Sequence, residues 1–136
     1  MTYATAPAVQ AAVFARLQSF APLAALVGDQ VHDAMPPGPL PPLYVALGPE
    51  VARDRSDGTG RGAVHDFLVS VVTDAPGFAG AKAAAAAVCD ALVDAPLALS
   101  RGTLVSLLFL RAEARRRGPS GTRTIDLTFR ARVDAG

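Results

Sequence analysis

Tryptophan is absent from this chain, cysteine occurs once and histidine twice. Each scarcity closes off a kind of chemistry. A single thiol, Cys89, excludes an intramolecular disulfide and fits a reducing compartment. His32 and His65 stand at no metal-ligand spacing with Cys89 or with a carboxylate pair, so neither a metal nor another cofactor is expected. Charge is sparse too. It nets to +1, which excludes binding of nucleic acid by bulk charge alone. No apolar run reaches the ~20 residues of a membrane-spanning helix. The opening Met1-Thr-Tyr-Ala-Thr-Ala-Pro7 lacks the basic and then apolar order of a signal peptide. The expected place of synthesis is the cytoplasm, with no membrane partner.

What the chain has is apolar residues, 51% of its 136, enough for one domain with its own core. Much of that fraction is alanine and only 6% is aromatic. The core is therefore expected from Leu, Val and Phe, with Ala allowing backbones to approach closely.

Pro7 suits a first helical turn, and Val9, Val13, Leu17 and Phe20 follow at helical spacing, predicting a helix over about 7–19. Pro22 opens a short second turn carrying Leu23 and Leu26, which Gly28 closes. Val31-His-Asp-Ala34 reads as brief extended chain. The prolines of Met35-Pro-Pro-Gly-Pro-Leu-Pro-Pro42 make a stiff connection. Leu43 to Leu47 reads as a strand ending at Gly48-Pro49, and residues 50–62, charged and rich in glycine, as an exposed, flexible loop. Clear alternation marks Val64 to Thr73, with His65, Phe67, Val69 and Val71 on one face. An alanine-rich helix follows over about 78–93, its stripe formed by Phe78, Ala81, Ala85, Val88, Cys89 and Leu92.

Thr103 to about Arg116 is extended, apolar on both faces at first and then alternating with Arg and Glu. Gly118-Pro-Ser-Gly121 makes a turn. The last strand, Arg123 to Val133, points Ile125, Leu127, Phe129, Ala131 and Val133 inward. Strands in a row with helices set apart predict an α+β fold. Its sheet should be mainly antiparallel, of four to five strands, with two main helices on one face. A long C-terminal hairpin should reach past the body and leave open edges, which either aggregate or add to a neighbour's sheet.

A search for catalytic groups yields little. Cys89 falls on an apolar helix stripe, where a buried structural thiol is the reading. Asp54 with Asp57, and Asp90 with Asp94, are carboxylate pairs by spacing only. No serine sits in a nucleophile elbow. Gly58-Thr-Gly-Arg-Gly62 lacks the Lys-Ser/Thr ending of a phosphate-binding loop and leads into a strand. No enzyme is expected.

The one charge feature lies from Arg101 onward, where eight arginines stand against Glu113, Asp126 and Asp134. Arg111, Arg115, Arg116, Arg117, Arg130 and Arg132, with Arg53, Arg55, Asp57 and Arg61 of the glycine-rich loop, are the candidate contacts to other subunits or partners. Two readings stand side by side: contact with phosphates or acidic patches, and edge protection by charge. No aromatics interleave with the arginines to stack bases, which weakens direct DNA binding.

Over nearly its full length the chain resembles the tail terminator (tail-completion) proteins of long non-contractile-tailed phages and gene transfer agents. The resemblance runs in order through Leu23-Ala-Ala-Leu-Val-Gly28, Val31-His-Asp-Ala34, Pro42-Leu-Tyr-Val-Ala-Leu-Gly48, Arg53-Asp-Arg-Ser-Asp57, His65-Asp-Phe-Leu-Val-Ser-Val71 and Ile125-Asp-Leu-Thr-Phe-Arg-Ala-Arg-Val133. It implies a protein made in the bacterial cytoplasm that forms a hexameric ring on the tail tube, ends tube polymerisation and meets a head-side connector. DNA would pass through the lumen without sequence-specific binding. The alternatives are another head–tail connector, a tail tube subunit, or a small nucleic-acid-binding module using the basic hairpin.

Overall fold

The computed structural model describes residues 3–34, 38–56, 58, 60–117 and 121–134. Helix α1, Ala6–Ser19, starts at Pro7, whose missing N–H costs nothing in a first turn, and buries Val9, Val13 and Leu17 at four-residue intervals. Helix α2, Ala21–Val27, buries Leu23 and Val27. Leu26, expected inward, is exposed, because the four-residue spacing selects Val27 as the partner of Leu23. Gly28 ends α2 at φ 64° and donates its N–H to the Ala24 carbonyl at 2.8 Å.

Five strands follow in one sheet: β1 Val31–His32, β2 Leu43–Asp54, β3 Gly62–Thr73, β4 Thr103–Arg117 and β5 Thr122–Asp134. Helix α3, Ala79–Leu92, lies between β3 and β4 in sequence. The strand order is β1-β2-β3-β5-β4, antiparallel throughout except for the parallel β1–β2 pair. This is the expected α+β architecture, mixed only through the two residues of β1.

Strand β2 runs further than its sequence predicts. It passes through Gly48-Pro49 to Asp54, so the connection to β3 shrinks from the expected 50–62 to 55–61. The register shifts between Leu47 and Glu50, and that bulge leaves Pro49 outside the ladder, where its missing donor does no harm. Gly48 permits the bulge because a Cβ there would lie 3.0 Å from the Leu68 Cβ. Gly62 is likewise held close, with the Val133 carbonyl oxygen 3.1 Å from where a Cβ would stand, and it accepts the Arg55 N–H at 2.8 Å to close the connection.

The C-terminal hairpin is long, as expected, but it does not reach past the body. Leu43, Thr73, Arg123 and Arg116 form one row at one end of the sheet, and Asp54, Ala63, Val133 and Leu104 form another at the other end. The four long strands are therefore flush. Part of the expected turn, residues 118–120, and part of the proline-rich link, residues 35–37, lie outside the described residues.

One face of the sheet carries the core. Phe67, Val69, Val71, Ile125, Leu127, Phe129, Ala131 and Val133 pack against α3's Ala81, Ala84, Val88, Ala91 and Leu92 and against α1 and α2. The alanines hold α3 close to the strands. Arg16 ties the helices together by donating from Nε to the Ala91 carbonyl at 2.8 Å, an otherwise orphaned acceptor in the last turn of α3. Across the sheet Phe129 stacks on Phe67 at 5.8 Å and meets the edge of Phe109 at 5.9 Å. Phe129→Ala is expected to cost about 3–5 kcal/mol, the range for truncating a fully buried Phe, measured as a fall in the urea midpoint of unfolding.

Candidate functional site

The face of the sheet away from the helices is built from the outward half of the same alternation, and it gathers most of the predicted arginines. Asp66 on β3 accepts a forked pair of hydrogen bonds from Arg130 on β5, Nε to Oδ1 at 2.8 Å and Nη2 to Oδ2 at 3.0 Å. Arg53 on β2 approaches the same carboxylate at 3.3 Å. Further along, Asp126 accepts from the Ser70 hydroxyl at 2.7 Å and from Arg115 at 3.0 Å. Glu113 lies between Arg111 at 3.2 Å and Arg115 at 3.0 Å. The hydrogen bonds from Arg130, followed by the charges of Arg130 and Arg53, hold the Asp66 carboxyl below its ordinary pKa despite partial burial. Arg130 is correspondingly raised by the same hydrogen bonds.

Arg55, Arg61 and Arg132 assemble at one end of the sheet, around a hollow of about 280 Å³ that Gly60, Gly62, Val105 and Asp134 complete. None of the three arginines is ion-paired with a described residue. Arg116 pairs in register with Arg123, on the helix side of the sheet, and is exposed. Arg117 ends β4, its side chain undescribed, and Asp57 lies outside the described residues. The ten candidates thus divide into a paired network, an end cluster and the basic tip of the hairpin.

Sequence reasoning missed the apolar part of the surface. Strand β4 is an edge with no partner on its outer side, and Val105, Leu108, Phe109 and Leu110 are exposed along it. At the opposite edge β1 covers only Val45 and Ala46 of β2, so from Leu47 onward β2 pairs with no further strand among the described residues, and Val51 is 61% exposed. The signal was present in Leu104–Leu110, whose apolar residues on both faces suit a strand that meets protein on both sides.

A buried polar node lies under the bulge. His65 is fully buried, its Nε2 2.9 Å from the Thr5 hydroxyl. The Glu50 carboxylate lies 3.3 Å from Nδ1 but without hydrogen-bond alignment, which leaves that nitrogen an electrostatic neighbour only. Tyr3 donates its hydroxyl to Glu50, which raises the Tyr3 pKa. The node pins the N-terminal segment to β2 and β3. Cys89, expected buried, is half-buried beside a shallow apolar groove formed with Phe109, Ala112 and Leu127. Desolvation, and then the Asp90 charge, raise its pKa, which makes it a poor nucleophile. No group of three His, Cys, Asp or Glu among the described residues is placed to hold a metal ion, and no single described helix is long and apolar enough to cross a membrane.

Comparison with known proteins gives two findings. A family described as tail completion protein gp17 matches residues 11–134. Among solved structures, a chain from the virion of a native gene transfer agent particle is 65% identical, superposes with a TM-score of 0.92, and is matched over 98% of this chain and 99% of its own. No curated protein matches.

The Asp66 network sets an acid response. Because the folded pKa lies below the ordinary 3.8, the stabilisation is present above that value and is lost as pH falls through the folded pKa. Asp66→Asn is expected to lower the thermal midpoint at pH 7, with the gap from the native chain closing below pH ~3. Melting curves across that range check both limbs.

Proposed function

The chain belongs to the tail completion protein gp17 family, and on that premise we propose that it is the subunit of a hexameric ring capping the tail tube of a phage-like particle. The ring ends polymerisation of the tube protein, presents its other face to a head-side connector, and leaves a channel for DNA. The observation that carries this reading is the near end-to-end match, at 65% identity, to a chain of a gene transfer agent virion. A structural role in the tail follows from the family itself.

The structure supports the reading in two ways. Its sheet has two dissimilar open edges, and head-to-tail rings need two different surfaces on each subunit. Its bare sheet face is charged but largely neutralised from within, Asp66 holding Arg130 and Arg53, and Glu113 with Asp126 holding Arg111 and Arg115. Arginines already paired draw a passing phosphate less than free ones would. Such a face suits the wall of a channel through which DNA slides without being held.

The test is mass and shape in solution, first alone and then with purified tail tubes. Rings on tube ends, with tube length fixed after addition, are the expected outcome. Filaments grown from the chain alone would make it a tube subunit. No effect on tubes, together with salt-sensitive DNA binding that is lost when Arg115 and Arg116 become Ala, would make it a nucleic-acid-binding module.

A further inference from the structure

The two open edges match each other in height, direction and chemistry. Paired rows run straight across the sheet, and one joins Val51 on β2, Asp66 on β3, Arg130 on β5 and Leu108 on β4. Val51 and Leu108 therefore project from the same face, in the same row, at opposite edges. Both are exposed, at 61% and 42%. The open stretch Glu50–Asp54 of β2 lies at the height of Leu104–Phe109, the apolar half of β4, and away from the arginines of its other half.

Strand direction matches as well. Along the order β2-β3-β5-β4 each long strand is antiparallel to the last, so β2 and β5 run one way and β3 and β4 the other. A second copy set beside the first by rotation about the strand direction brings its β2 antiparallel to the first copy's β4. The alternation then continues without a break.

We propose that a second copy of this chain occupies the β4 edge, its β2 adding to β4 so that the sheets of neighbouring subunits join, with Val51 and Leu108 at the seam. This rests on the ring reading and names its interface. Each subunit gives a different edge to each neighbour, and closing the ring removes both exposed edges at once. A closed sheet also requires stagger between neighbours. Sliding by an even number of residues keeps the two side chains on one face, and moves the partner of Val51 from Leu108 toward Ser106 or Leu110.

Cross-linking of the full chain tests the seam. With Cys89→Ser removing the native thiol, one preparation carries Val51→Cys and others carry Ser106→Cys, Leu108→Cys or Leu110→Cys. Mixed in pairs on tail tubes and oxidised, Val51→Cys and at least one of the β4 variants should give covalent dimers. A chain bearing both cysteines should give a ladder ending at the closed ring. Each single variant on its own should stay uncross-linked; dimers from one alone would mean a two-fold contact and overturn the proposal. Rings seen by electron microscopy without cross-links from any pair would overturn the seam and leave the ring standing. Absence of rings from the unaltered chain would overturn both. Hydrogen exchange on the unaltered chain covers variants that fail to fold. Amides in 47–53 and 104–110 should gain protection together, at least tenfold, on ring formation, and protection at neither stretch would overturn the seam.

Discussion

The pairing of β3 with β5 constrains everything else in this molecule, because the two strands are matched from Gly62 and Asp134 to Thr73 and Arg123. A slip of one residue would turn Phe129, Leu127 and Ile125 out to water and bring Arg130, Thr128 and Asp126 under α3. The same register that seats the core also brings Asp66 opposite Arg130 and Ser70 opposite Asp126. Core and charged network are thus two readings of one alternation. The network adds little stability, since partly exposed ion pairs contribute modestly, but it penalises the wrong register by separating the charges.

With the central pair fixed, the outer strands are placed by what they attach to. Strand β4 follows β5 over nearly its whole length but bulges twice, between Leu104 and Ser106 and between Phe109 and Arg111. Those bulges bracket the apolar stretch. Strand β2 bulges at Gly48-Pro49, just where its open edge begins. Irregularities of this kind bend a strand and raise its local twist, which hinders casual pairing by a passing edge.

Much of this was legible from the residues. The inward set of β5 is fully buried as its alternation predicts, and α3 lies within a residue of its expected ends. Other features were not legible, for identifiable reasons. Gly48-Pro49 reads locally as a stop, and only the long-range fact that β3 continues opposite makes it a bulge within a strand. The open edge of β2 depends on β1 being two residues long, which no local pattern sets. The arginines were visible as a basic run, but their division into paired and unpaired members depends on partners up to 64 residues away, as Arg130 with Asp66 shows. Resemblance added the ring and the tail, which composition and spacing alone do not supply.

The distribution of charge along β4 carries the last step. Its distal half, with Arg111, Glu113, Arg115 and Arg116, is protected in the way natural edge strands are, since two copies brought together there would set like charges against each other. Its proximal half, from Leu104 to Leu110, has no such protection, and its exposed apolar side chains stand in a chain otherwise able to bury them. A strand that guards one half of its edge and leaves the other bare distinguishes between partners. An acceptable neighbour must be apolar opposite Leu108 and must leave the arginine half uncrossed. The β2 edge meets both conditions, because Val51 lies at that height and β1 already occupies the opposing edge at the height of Ala114. Specificity for a second copy would then come from where the sheet is covered as much as from what it exposes.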